Sequence, residues 1–274
     1  MKIHLISDLH TEFNPYTVTP PPGGCDVVVL AGDVGGTQRI GRIETVLRAA
    51  ARIAPTVYIA GNHEFYGSSV EASDVRLQNL SEYVTKDLAI KEKGTHPVHY
   101  LSQGKTVEIA GALFWGATLW SDFCLYGTPE FSMKVAESAA VGVNDFRAIT
   151  VDGKLVTAKW MLQQHLSERN TLEKADGLAR SKGLPLVVVS HFMPSPGSVH
   201  PKYRGNGLTP YFASNLDDLM AGPRRLKSLK LVVHGHCHDA CDHVVGDVRV
   251  VANPYGYRSE QGKNGFEKHL VIEI

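Results

Sequence analysis

Apolar residues along the first third of the chain fall into two alternating patterns. Residues 3–6, 26–30 and 56–60 are short runs rich in Val and Ile, bounded by Gly, Asn and Asp, and they read as buried strands. Between the second and third runs, residues 40–53 place Ile43, Val46, Leu47 and Ala50 on one helical face. Strands separated by a helical crossover predict βαβ connections and a largely parallel sheet. Each run ends at a polar turn, with Gly32 and Gly61 in the second and third, and that carboxyl edge is where open α/β sheets bind ligands.

Further along, residues 107–119 read as strand and turn, punctuated by Gly111 and Gly116, and residues 133–143 and 155–179 as helices. Strand patterns return at 184–190 and 229–234. Residues 244–274 alternate like antiparallel or edge strands around Asn253 and Tyr257. Residues 194–212 carry neither period, and loops of that length tend to be functional. With no internal repeat or linker, the expectation is a single domain over residues 1–274. It has room for a cap or insertion around 120–150 and a substrate-side loop around 194–212.

Composition narrows the function classes. Lys plus Arg and Asp plus Glu both number 28, so the formal net charge is zero. That balance removes the usual reason for broad binding to nucleic acid or membrane, so nucleic acid is a disfavoured partner. No run approaches the roughly 20 apolar residues of a membrane-spanning helix. The N-terminus lacks the apolar stretch and cleavage site of a signal peptide, so a cytoplasmic protein is expected. Four cysteines in 274 residues agree with a reducing compartment. Cys237 and Cys241 have no second pair with which to complete a structural zinc site.

The 13 histidines matter through their placement. Asp8–Leu9–His10, Gly32–Asp33, Gly61–Asn62–His63–Glu64, Ser190–His191 and Gly235–His236–Cys237–His238 each follow an apolar strand run with metal-ligand residue types. In extended chain, residues i and i+2 share a side, which pairs Asp8 with His10 and His236 with His238. Taken singly, Asp8 and Asp33 are equally readable as helix caps or turn formers. Together, carboxylate, imidazole and amide oxygen suit Mn, Fe, Zn, Co or Ni. The set exceeds what one ion needs, and an Asp shared between two divalent ions accounts for the surplus.

These five blocks, in this order from Asp8 to His238, resemble the calcineurin-like metallophosphoesterase family. The resemblance implies an α/β fold, a four-layer sandwich of two mixed β-sheets flanked by helices. It implies that Asp8, His10 and His238 hold one metal, that Asn62, His191 and His236 hold the second, and that Asp33 bridges them. It further implies hydrolysis of a phosphate ester by in-line attack of a metal-bridging hydroxide, with His63 protonating the leaving group. Glu64 is expected to support the site by hydrogen bonding rather than to react.

The substrate is less sharply drawn. His200, Lys202, Tyr203 and Arg204 sit on the loop after His191 and are candidates to hold a phosphate, base or sugar, or simply to face solvent. Asn253 and Tyr255 are candidates to border the pocket. Trp120, Phe123 and Tyr126 form either a cap or buried packing. His234 reads as structural, Cys237 as facing away from the metals, and His4, His96, His99, His165, His243 and His269 as outside the site. The balance favours a phosphodiesterase acting on a small nucleotide-like ester. A phosphomonoesterase or protein phosphatase, a nuclease, and a catalytically silent metal-binding scaffold are the alternatives.

Overall fold

The Val- and Ile-rich runs become strands of two mixed sheets. The computed structural model describes residues 1–138 and 143–274. In chain order its elements are β1 (Lys2–Ile6), β2 (Val27–Ala31), α1 (Ile40–Ala51), β3 (Thr56–Ile59), β4 (Ser68–Ser69), α2 (Val70–Lys91) and β5 (Val98–Tyr100). There follow β6 (Lys105–Ile109), β7 (Ala112–Ala117), α3 (Pro129–Ser138), α4 (Asp145–Ala148), β8 (Ile149–Val151), β9 (Lys154–Leu155) and α5 (Ala158–Lys182). The chain ends with β10 (Leu186–Ser190), α6 (Thr209–Phe212), α7 (Asp217–Met220), β11 (Leu229–His234), β12 (Cys241–Val245), β13 (Val248–Ala252) and β14 (Val271–Glu273).

One sheet has the order β14-β1-β2-β3-β5 and the other β12-β13-β11-β10-β7-β6. Both are parallel at the centre and antiparallel at an edge: β14 against β1, and β12 and β6 against β13 and β7. A short sheet of β4, β8 and β9 lies apart from them. The central strands are apolar on both faces because both faces are covered. Val27, Val29 and Ala31 of β2 meet Val187, Val189, Leu231 and Val233 of the second sheet. Val28 and Leu30 point the other way, against α1 and α2. The far face of the second sheet packs Val188 and Val232 against Leu172, Ala175 and Ala179 of α5 and Leu219 of α7. The result is the expected sandwich: helices, sheet, sheet, helices.

Ile43, Val46, Leu47 and Ala50 are all buried, as the α1 spacing predicts. Each of the larger three contributes roughly 1.5–3 kcal/mol on burial. α5 starts later than its pattern suggests. The Thr157 hydroxyl accepts from Trp160 N at 3.1 Å, and Gly183 closes the helix in the left-handed conformation at φ 66°. Of the helix expected over residues 133–143, α3 accounts for the part up to Ser138, and residues 139–142 lie outside the described residues. The 22-residue α2 is not visible in the pattern because Ser73 and Ser81 occupy two of its buried positions and thin its apolar stripe. Nor does the C-terminal stretch stay in one sheet: β13 lies parallel to β11, while β14 crosses to the edge of the other. Among the described residues no helix is long and apolar enough to cross a membrane.

Candidate metal centre

All five blocks leave their strands at one edge of the sandwich. Asp8 and Asp33 lie two residues beyond β1 and β2, Asn62 three beyond β3, and His191 directly after β10. His236 and His238 lie two and four residues beyond β11. β1, β2 and β3 run parallel in one sheet, and β10 and β11 in the other. Stacking the sheets therefore brings these ends together, and bonds between the two sheets' loops tie them. His236 N donates to Asp8 Oδ1 at 2.8 Å, Thr118 Oγ1 donates to Ala60 O at 2.9 Å, and His191 Nδ1 lies 3.0 Å from Ala31 O.

The backbone here is not extended. Asp8, His10, Asp33, His236 and His238 have φ of 53°, 46°, 51°, 68° and 50°. Non-glycine residues tolerate the left-handed region poorly, although Asp and His do so better than most. Such strain persists where the surroundings enforce it and clusters at functional sites. It also corrects the pairing expected from strand alternation. Asp8 and His10 do come together, but with His238, whereas His236 groups with Asp33 and His191.

Asp33 Oδ2 sits between the groups, 3.8 Å from His10 Nε2 and 3.3 Å from His191 Nε2. His10 Nε2 lies 3.0 Å from His238 Nε2, which is 3.6 Å from Asp8 Oδ1. Asn62 Oδ1 lies 3.1 Å from His191 Nε2. Asp8 Oδ2 and His236 Nε2 are buried without any hydrogen-bond partner, an arrangement that costs free energy unless something else satisfies them. Burial also drives the His236 imidazole well below its usual pKa, which keeps it neutral with a free lone pair. Two orphaned ligand atoms inside a mixed N/O donor set fit divalent cations. Glycine keeps the centre open: a Cβ on Gly61 would lie 2.6 Å from His191 Nε2, and one on Gly235 2.6 Å from Asp8 Oδ2.

A second tier of residues orients these side chains. Glu12 Oε1 lies 2.8 Å from His63 Nδ1 and 3.2 Å from His10 Nδ1, and Glu260 Oε2 lies 2.8 Å from His238 Nδ1. Asn62 Nδ2 donates to Asp145 Oδ1 at 3.0 Å and to Tyr66 OH at 3.1 Å. Tyr66 OH and Tyr211 OH both donate to Asp145 as well. Glu64 is wholly buried and accepts from Asp33, Val34 and Gly61 N at 3.0, 2.7 and 2.8 Å and from Tyr58 OH at 3.0 Å. It clamps the two loops that carry Asp33 and Asn62.

Electrostatics separate two of the central groups. Burial opposes ionisation of Asp33, but His191, His63 and His10 outweigh it and hold the carboxyl well below the usual range. Burial alone would lower the His63 imidazole, yet Asp33 and Glu12 prevail and hold it at about 9. His63 Nε2 lies 3.3 Å from Tyr257 OH and 4.0 Å from Asp33 Oδ2, with Nδ1 turned back onto Glu12.

A cavity of about 440 Å³ opens from this cluster, bordered by Asp33, Asn62, His63, His236 and His238. His200 and Tyr203 line it, but four other expected contacts are engaged elsewhere. Lys202 Nζ is held by Asp239 at 2.8 Å, and Arg204 Nε turns back to Val199 O at 3.4 Å. Asn253 is consumed by backbone, donating to Leu5 O at 2.7 Å and accepting from Glu267 N at 2.9 Å. Tyr255 packs against Tyr16 and Phe266, with ring centroids 4.8 and 5.1 Å away. Tyr257, two residues on, lines the cavity instead, its ring 4.5 Å from that of His10. Trp120 and Phe123 are buried packing and Tyr126 is exposed. Cys237 borders the cavity, and its Sγ donates to Asp239 O at 2.9 Å. His234 bonds Ser198 Oγ at 2.8 Å.

Comparison with known proteins points the same way. The family model for calcineurin-like phosphoesterases matches residues 1–240. A phosphopantetheinyl hydrolase from Mycobacterium tuberculosis superposes with a TM-score of 0.63 at 18% identity, covering 94% of this chain and 90% of that one. A dimetal phosphatase from Danio rerio superposes with a TM-score of 0.51 at 14% identity, covering 92% and 86%. Curated protein sequences returned no match.

Proposed function

The chain belongs to the calcineurin-like phosphoesterase family, and on that premise we propose that it is a metal-dependent hydrolase of phosphate esters acting at this cluster. Asp8, His10 and His238 would hold one divalent ion and Asn62, His191 and His236 another, with Asp33 shared. The observation that carries the reading is the Asp33 carboxylate set between His10 and His191, beside the orphaned Asp8 Oδ2 and His236 Nε2. Divalent ions in such a site make water more acidic and offset the charge of phosphoryl oxygens.

The chain's own residues supply the rest. Glu12 fixes His63 through Nδ1, so its proton at Nε2 faces the cavity and is available to a departing alkoxide. Tyr257 OH beside that nitrogen helps to hold the ring in place. The buried Glu64 clamp and the left-handed turns keep the donors fixed before substrate arrives. A diester of a small, nucleotide-like alcohol is the favoured substrate, because His63 can serve a poor leaving group. We further read residues 1–274 as one cytoplasmic domain, with residues around 120–150 and 194–212 flanking the substrate.

The test uses metal-stripped protein resupplied with Mn²⁺, comparing bis(p-nitrophenyl) phosphate with p-nitrophenyl phosphate. A phosphopantetheinyl ester, the class in the mycobacterial neighbour's name, belongs in the same panel. Preference for the diester supports the favoured substrate, and preference for the monoester replaces it within the same class. Asp33→Asn should lower turnover more than about a hundredfold and reduce bound metal, since even residues that merely support ligands are worth about 10–100-fold. Full activity in that variant overturns the two-ion assignment, and no turnover with Mn²⁺, Fe²⁺, Zn²⁺ or Ni²⁺ overturns the phosphoesterase reading.

A further inference from the structure

The cavity wall beside the candidate metal site has a chemistry of its own. Met193, Val199 and Phe212 form one apolar group with Cys237, and Leu208 extends that surface into the cavity. The wall begins against the cluster itself, where the Phe212 ring lies 5.2 Å from that of His236. His200, Tyr203 and Asn206 add neutral or weakly basic polar groups.

Among the described residues no Lys or Arg lines the cavity. On this loop Lys202 is paired with Asp239 and lies 4.8 Å over the Tyr203 ring, and Arg204 turns back to Val199 O. The lining carboxylates other than Asp33 are already engaged, Glu260 with His238 and Asp145 with Asn62, Tyr66 and Tyr211. A second anionic group on a substrate would therefore lose water against an apolar wall and find no Lys or Arg there to pair with. Burying an unpaired charge costs far more than burying a neutral polar group that can hydrogen-bond.

Resting on the phosphoesterase reading above, we propose that this wall is a leaving-group subsite for an uncharged, partly apolar alcohol carrying a single phosphoryl group. Nucleosides and amide-containing alcohols meet that description. Nucleoside di- and triphosphates and oligonucleotides do not, because each brings a further anion into the wall.

The experiment compares two hydrolysis-resistant phosphonates of the same shape, 4-(2-carbamoylethyl)benzylphosphonate and 4-(2-carboxyethyl)benzylphosphonate. Their binding to the Mn²⁺-loaded protein is measured by calorimetry. The amide is expected to bind at least tenfold more tightly than the carboxylate. Leu208→Lys, which places a cation in the wall, should shrink that ratio at least tenfold, with folding checked by circular dichroism. Equal affinities, tighter binding of the carboxylate, or no binding of either ligand overturns the proposal. Turnover of the p-nitrophenyl esters is read separately. Tenfold discrimination without turnover would sink the phosphoesterase reading and keep the subsite, whereas turnover with equal affinities would do the reverse.

Discussion

Asn62 can offer a cation its amide oxygen only if something else takes its NH₂ group. Asp145 does so from 83 positions away, with Tyr66 beside it. Because Asp145 also receives the hydroxyls of Tyr66 and Tyr211, it is locked, and it locks Asn62 in turn. The sequence marks Asn62 by its place after a strand and next to His63, but nothing local marks Asp145. Asp145→Leu should therefore weaken binding of one of two ions by about 10–100-fold, the range for residues that orient ligands. Titration of metal-stripped protein against a competing chelator measures this, with Asp145→Asn expected to recover part of the loss. Two unweakened sites in a folded Asp145→Leu protein would show that Asn62 orients itself. The same logic separates Tyr257 from Tyr255: two positions apart, one borders the cavity and the other packs on Tyr16.

At the scale of elements, strands were the easiest to read, because burial on both faces leaves long Val-rich runs. Helices were harder where their buried stripe is mixed. α2, which the pattern did not reveal, buries Ser73 and Ser81 beside its leucines; α5, which it did, also buries a polar residue, Glu168. Glu168 Oε2 has no hydrogen-bond partner, and burial, aided by Asp74, lifts its carboxyl to about 8. The folded chain thus keeps a proton that the unfolded chain loses near the ordinary value of 4.5, so stability falls as pH rises from there to about 8. Glu168→Gln keeps the shape and removes that loss. In urea denaturation of metal-stripped protein the variant should be more stable by on the order of 1 kcal/mol at the upper end of the window. The gap should close at the lower end. A gap independent of pH would mean that Glu168 is not the group responsible.

For the whole molecule, the candidate metal site is where the two sheets meet at their carboxyl edge. Ions bound there would tie β1, β2 and β3 to β10 and β11, and such binding exists only in the folded state. Adding Mn²⁺ to metal-stripped protein at about 100 times its Kd should add about 2.7 kcal/mol. At about 2–4 °C per kcal/mol for chains approaching this size, calorimetry should register a rise of roughly 5–10 °C. An unchanged melting temperature would show that the cluster does not hold the ion. Zero net charge and the absence of Lys and Arg from the described cavity lining agree at this scale, since neither offers a polyanion a partner.

Though it did not mark β4, β5, β8 or β9, the sequence by itself determined the strands β1, β2, β3, β10 and β11 and the residue types that follow each of them. Those depend on local composition and on where an apolar run stops. It also carried the family resemblance, because the five blocks keep their spacing from the strand ends. The tertiary structure alone decided which sheet each strand joins and that Lys202, Arg204, Asn253 and Tyr255 turn away from the cavity. Its grouping of His236 with Asp33 and of His238 with Asp8 and His10 overrides strand alternation and agrees with the family resemblance. The reason is physical. Past a strand's end the two-residue alternation lapses, and left-handed turns held by bonds from the opposite sheet set each side chain's direction. Glu12, Asp145, Tyr257 and Glu260 act through contacts with residues 22 to 194 positions away, so no local pattern records them.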